Sequence, residues 1–93
     1  MTLLLKDPDA ALDYMVDWGV EYLADDALSE SHWAVSPAEE GGAVVVGERF
    51  EPGSATVKVE GGVAGRLYRL TNHVVTASGR EDSRSIMLRV EKR

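Results

Sequence analysis

The sequence predicts an all-β fold in which two antiparallel sheets pack face to face. Three observations lead there. β-Branched and aromatic residues recur in short alternating runs, clusters of glycine, proline and aspartate separate the runs at turn spacing, and there is little room for the crossover helices of a parallel sheet. The strongest strand-turn-strand signal runs from Val57 to Val75, where Gly61, Gly62 and Gly65 lie between a pair of such runs. About six or seven short strands result, the number expected of a β-sandwich.

Taken in order, Met1–Lys6 is an apolar arm or edge strand, stopped by Asp7-Pro8-Asp9 because proline lacks an amide hydrogen and aspartate bonds its own backbone. Residues Ala10–Leu23 support two readings. A strand would place Leu12, Tyr14, Val16 and Trp18 on one face, whereas a helix capped by Asp9 would gather Leu12, Met15, Gly19, Tyr22 and Leu23. A turn then leads into a strand through Ser31–Val35, with Trp33 and Val35 on one face and His32 on the other. Pro37–Gly42 reads as a loop. Ala43–Val46 is continuously apolar, which predicts a central strand or one in contact on both faces.

Pro52 and Gly53 suit the central positions of a turn, after which Val57 and Val59 point inward while Lys58 and Glu60 point out. The next inward series is Tyr68, Leu70, Asn72 and Val74. An inward Asn72 requires hydrogen-bonded partners for its amide. Residues 77–82 connect to a closing strand in which Ile86, Leu88 and Val90 alternate with Ser85, Met87 and Arg89.

A chain of 93 residues suits one domain, 1–93, because smaller pieces would bury too little apolar surface. With no cysteine, disulfides, thiolate metal sites and cysteine nucleophiles are excluded. No apolar run approaches 18 residues and no leader pattern is visible, so neither membrane insertion nor a cleaved secretion signal is expected. The formal charge of −6 is uneven: residues 1–48 hold 11 acidic and 1 basic side chains, residues 49–93 hold 5 and 9. That polarity disfavours nonspecific nucleic-acid binding, and it could either oppose an acidic to a basic surface or intermix after folding.

The residues point to no catalytic, cofactor or metal site. His32 and His73 are 41 residues apart on outward faces, and a two-histidine metal site would need the strands to unite them with a carboxylate. Asp7, Asp9, Asp13, Asp17, Asp25 and Asp26 do not have calcium-loop spacing, and the glycines lack the lysine and helix of a phosphate loop. Ser31 has no base and orienting acid in view. Trp18 and Trp33 fit core anchors better than stacking platforms.

The ordered set Lys6-Asp-Pro-Asp-Ala10, Asp13-Tyr14, Asp17-Trp18, Tyr22-Leu23, Gly61-Gly62, Gly65, Tyr68-Arg-Leu-Thr71-Asn72 and Gly79–Ser85 resembles small tail-associated proteins of long-tailed bacteriophages, described as fiber-tail adaptors. The resemblance covers nearly the full chain. Its sharpest stretches are Asp-Tyr-x-x-Asp-Trp, Tyr-x-Leu-Thr-Asn and Gly-Arg-x-x-x-Arg-Ser. Tyr22 stands where such proteins commonly carry a second tryptophan, and Lys58–Gly62 replaces their Trp-Leu-Ser-Gly-Gly strand end.

The resemblance implies an immunoglobulin-like β-sandwich, with strand favoured for Leu12–Trp18. It also implies a noncatalytic virion adaptor, needing no cofactor, that links a fiber or other distal component to the tail. Partners would be tail or fiber proteins, several copies would assemble in the virion tail, and the host cytoplasm would hold the chain during assembly. Asp7, Asp17, Asn72, Arg80 and Arg84 match the polar positions of the motifs and Trp18 and Tyr68 the aromatic ones, which nominates them as structural or interface residues. Asp17 and Asn72 are expected to organise loops, and Arg80 and Arg84 to pair with carboxylates or meet a partner. A head-tail connector or tail-completion protein and a small carbohydrate-binding module are the alternatives.

Overall fold

The computed structural model describes residues 2–92, with the side chains of all of these but Thr2, Val20 and Glu21. Period-two alternation becomes seven strands: β1 (Thr2–Lys6), β2 (Leu12–Asp17), β3 (Leu28–Ser36), β4 (Val44–Glu51), β5 (Ser54–Glu60), β6 (Leu67–Thr76) and β7 (Glu81–Val90), with one short helix, α1 (Gly19–Leu23), after β2. One sheet has the order β1-β7-β6-β3 and the other β2-β5-β4. Every pairing is antiparallel except β1 with β7, which is parallel. The fold is the immunoglobulin-like sandwich.

The core lies between the sheets and follows the inward positions. Tyr14, Val16 and Trp18 meet Ala55, Val57 and Val59 from one side, and Tyr68, Leu70, Val74, Ile86, Leu88 and Val90 from the other. Each fully buried aliphatic chain contributes about 1.5–3 kcal/mol relative to exposure. Trp18 and Trp33 are both buried, as their alternation predicts. Ser36-Pro37 is a cis peptide at the end of β3.

Three expectations need correction. The glycine-rich stretch after Val57 is not a hairpin: β5 pairs with β2 and β4, while β6 pairs with β3 and β7, so residues 61–66 carry the chain from one sheet to the other. Gly62 explains why the crossing needs glycine. Its φ is +113°, and a Cβ there would sit 2.6 Å from Val90 Cγ2.

The apolar run Val44–Val46 is likewise not central. β4 is an edge strand, a bulge between Val45 and Gly47 interrupts its register, and Val44 and Val46 are 46% and 47% exposed, leaving Val45 to pack on the core. Residues 10–23, finally, use both readings in succession. The strand ends at Asp17 and a helix begins at Gly19; Leu12 and Met15 are exposed while Tyr22 and Leu23 pack inward. The cap is Asp17, not Asp9: its Oδ1 accepts the Gly19 amide at 2.9 Å.

Residues 2–6 of the expected N-terminal arm form β1, and Met1 lies outside the described residues. Lys6 ends this strand fully buried, donating from Nζ to the carbonyls of Gly61 at 2.7 Å and Asp7 at 2.8 Å. Its pKa is lowered by burial, against the pull of Asp7, Asp9 and Glu60. The two charge-polarised halves intermix: Arg66 meets Glu39, Arg80 meets Asp26 and Lys92 meets Asp9.

Candidate functional site

Folding divides the seven nominated residues between opposite ends of the sandwich. Asp17, Trp18, Asn72, Arg80 and Arg84 gather around α1, whereas Asp7 and Tyr68 lie by the glycine crossing. The first group begins with Trp18, which follows β2 and is held by a bond from its amide to the Gly53 carbonyl at 3.0 Å. Its indole Nε1 donates to Asn72 Oδ1 at 2.9 Å inside the sandwich. Indole N–H can only donate, so the Asn72 carboxamide oxygen must face Trp18. That leaves Nδ2 for Ser31 Oγ at 2.9 Å and the His32 carbonyl at 3.2 Å. Asn72 therefore ties β6 to β2 and β3. Trp33 Nε1, by contrast, is buried with no partner among the described residues.

Two arginines cover this network from outside. The Arg84 guanidinium lies 4.2 Å over the Trp18 ring and 5.5 Å from Tyr22, and donates to the Asp17 carbonyl at 3.1 Å. Among the described residues it forms no ion pair. Arg80 sits 4.8 Å over Tyr22, donates to the Tyr22 and Leu23 carbonyls at the end of α1, and pairs with Asp26 at 3.3 Å. Trp18 and Tyr22 tilt against one another at 5.1 Å and 50°. The result is a partly exposed stack of two cations on two rings. Its shape is set by backbone carbonyls more than by carboxylates.

Asp26 is the acid of this end. Its oxygens accept the Ser78 hydroxyl at 2.6 Å, the Ser78 amide at 3.1 Å and the Ala27 amide at 2.9 Å. Hydrogen bonds, first from the Ser78 hydroxyl and then from Thr76, hold its carboxyl well below the usual carboxylate range despite opposition from desolvation. It joins the segment after α1 to the β6–β7 hairpin. Tyr22 is marked by the motifs but is not among the nominated residues, and Asp26 looks like one acid among many. Only the partner Arg80, 54 positions beyond Asp26, distinguishes it.

At the other end, Tyr68 Oη accepts the Val63 amide at 2.9 Å and donates to Glu39 Oε1 at 2.7 Å. Burial raises its pKa, with Glu39 adding to the rise and the Val63 amide opposing it. Asp7 organises its own turn, Oδ1 accepting the Asp9 amide at 2.8 Å and its carbonyl the Ala10 amide at 3.1 Å.

His32 and His73, distant in sequence, are direct register neighbours across β3 and β6. Each has its own carboxylate: His73 Nε2 is 3.1 Å from Glu81, and His32 Nδ1 is 3.9 Å from Glu48. No group of three or more potential ligands able to hold a metal ion occurs among the described residues. No helix among them is long and apolar enough to cross a membrane.

The solution structure of the PKD domain from KIAA 1837 protein is similar, with a TM-score of 0.55 and 17% identity over 98% of this chain and 79% of that one. This likeness is one of fold. No curated protein matches the sequence. A family model described as podophage GP4 fiber-tail adaptor protein gp77 matches residues 6–89, which include all seven nominated positions. That description names a podophage where the motifs suggested long-tailed phages. With its motifs matched from Lys6 to Arg89 and its sandwich in place, this chain belongs to the Gp77 family of phage fiber-tail adaptor proteins.

Proposed function

We propose that the Trp18 end is the surface through which this adaptor grips its neighbour at the joint between fiber and tail. The family gives the chain a noncatalytic structural role in the phage tail, linked to tail and fiber components. What supports the location is Arg84. Its guanidinium is fixed over Trp18 and by the Asp17 carbonyl, and it meets no carboxylate of its own chain among the described residues. A planar donor fork held in place loses little conformational freedom on meeting a carboxylate, so it can specify register at low entropic cost. Asp17, Trp18 and Asn72 then serve as its support, and Arg80 with Asp26 braces the adjoining loops. Asp7 and Tyr68 hold the opposite end together.

The chain acts as one domain, 1–93, since β1 near its start hydrogen-bonds to β7 near its end. It works in several copies in the virion tail and folds in the host cytoplasm, where a cysteine-free chain needs no oxidative step. The test is particle assembly with Arg84→Ala and Arg80→Ala chains, combined with cryo-electron microscopy that locates the wild-type chain. Density at the fiber joint with the Trp18 end buried, and loss of particle association in folded variants, is the expected result. Density at the head-tail joint, or unaltered association of both variants, overturns the assignment.

A further inference from the structure

The sandwich has two flanks, where an edge strand of one sheet faces an edge strand of the other, and they differ. Between β3 and β4, Glu48 bridges the gap: its Oε1 accepts the Trp33 amide at 3.1 Å, and the hollow beside it is lined by Ser31, His32, Arg49 and Phe50. β1 and β2 border the opposite flank, and no strand pairing joins them. A groove of about 420 Å3 lies there, within the range of about 300–1,000 Å3 usual for binding pockets. Leu4, Met15, Val16 and Ile86 make most of its lining apolar. Register sets Leu4 beside Leu88, further along β7 than Ile86, so Arg84 and Asp17 mark the Trp18 end of the groove. The Arg84 guanidinium is held there by the Trp18 ring at 4.2 Å and the Asp17 carbonyl at 3.1 Å, with no carboxylate partner among the described residues. The acids beside it are engaged elsewhere. Asp17 Oδ1 accepts the Gly19 amide at 2.9 Å, and Asp82, two positions before Arg84, accepts from the Tyr22 hydroxyl.

Resting on the reading of Arg84 as the gripping group, we propose that this groove receives an extended segment of a partner protein in which an acidic residue stands two positions from an apolar one. Free main-chain edges on both β1 and β2 suit an extended occupant. Alternate side chains of such a segment share a face at a spacing of about 6.6 Å. One of them, apolar, enters between Leu4, Val16 and Ile86, while the next on that face brings its carboxylate to the Arg84 fork. Arg84 sets the sign of the occupant and the groove lining sets the character of its neighbour. A wholly apolar strand leaves the guanidinium without a counter-charge, and a basic one repels it.

NMR titration of the purified chain tests it. The probes are the end-blocked peptide Thr-Val-Thr-Val-Thr-Glu-Thr, its reverse sequence, and the counterparts of both with glutamine for glutamate. Shifts should centre on Leu4, Val16, Ile86 and the Arg84 side chain. In the preferred direction the glutamate peptide should bind at least about fivefold tighter than its glutamine counterpart, a comparison on the unmodified chain that stands even where a variant fails to fold. Arg84→Gln should bring that ratio to about one, and Leu67→Lys, exposed on the outer face of β6, should leave it unchanged. Equal affinity of the two peptides, selectivity that survives Arg84→Gln, or shifts confined to the β3 and β4 flank overturns the proposal. So do groove shifts that grow with protein concentration alone, which mark a second copy as the occupant. Loss of particle association by folded Arg84→Ala with no peptide selectivity overturns this proposal and leaves the Trp18 end as the gripping surface. Selectivity with unaltered particle association overturns that surface's place at the joint and leaves the groove as a peptide site.

Discussion

The two ends of this sandwich are closed by different means. At the Trp18 end, long polar and aromatic side chains reach across the opening: Asn72 bonds Trp18 from within, and Arg84 and Arg80 lie over Trp18 and Tyr22 from without. At the crossing end, backbone approaches backbone. Gly62 donates to the Gly41 carbonyl and packs on Val90, Gly65 donates to the Val90 carbonyl, and Tyr68 and Lys6 fasten the loops with single polar tips. One end is closed by side chains held in place at the surface, the other by main chain packed closely on main chain.

The sharpest way to break the contrast is Asn72→Ala. It leaves Trp18 Nε1 without an acceptor in the core and opens a void, and should cost about 3 kcal/mol in urea unfolding. A loss no greater than that of a surface substitution would mean the buried network does not hold this end. Gly62→Ala comes next, at about 2 kcal/mol, because its positive φ and the approach of Val90 both resist a Cβ. This variant should lose stability yet, once folded, keep its association with particles.

Tyr68→Phe removes the hydroxyl shared by Val63 and Glu39, and thermal unfolding should register about 1 kcal/mol. Arg84→Ala should cost less, under about 1 kcal/mol, because its cation–π contact is partly solvated. Its signature is optical instead. Trp18, now 1% exposed, loses its cover, so tryptophan emission should shift to the red and acrylamide quenching should rise. Unchanged emission would show that the stack is not populated in solution.

The smallest effect is one of pH. Asp26 titrates lower in the folded chain than its unfolded value near about 3.9, so its stabilisation is complete above that pH and is lost as the pH falls through the folded value. Asp26→Asn should therefore flatten the dependence of the urea midpoint on pH below about 4. A slope equal to that of the parent chain would remove Asp26 from the brace between α1 and the β6–β7 hairpin.

Much of the Trp18 end is half-visible in the chain. Alternation puts Asn72 inward, and inward carboxamides need partners, but the partners Trp18 and Ser31 lie 54 and 41 positions away and share no local pattern with it. The motifs mark Arg80 and Arg84 without indicating what they stack on. The motifs mark Tyr22 as well, but not its place under Arg80 and beside Trp18, because the segment holding it looks equally helical and extended, and it is a strand followed by little more than one helical turn.

What the sequence determined by itself was the strands and their inward faces. A pleated strand exposes alternate residues to opposite sides whatever its neighbours, so Val57 and Val59, Tyr68 to Val74, and Ile86 to Val90 declared their orientation locally. Tertiary structure alone decided which strands pair. A glycine-rich turn is equally suited to reverse a strand within one sheet or to carry it to another, and the choice at residues 61–66 depended on how β6 could be covered by β3 and β7 at once. The same long-range pairing set His32 beside His73 and brought Asp26 to Arg80, because contacts between residues far apart in the chain are fixed by topology, and topology is settled only when all the inward faces are buried together.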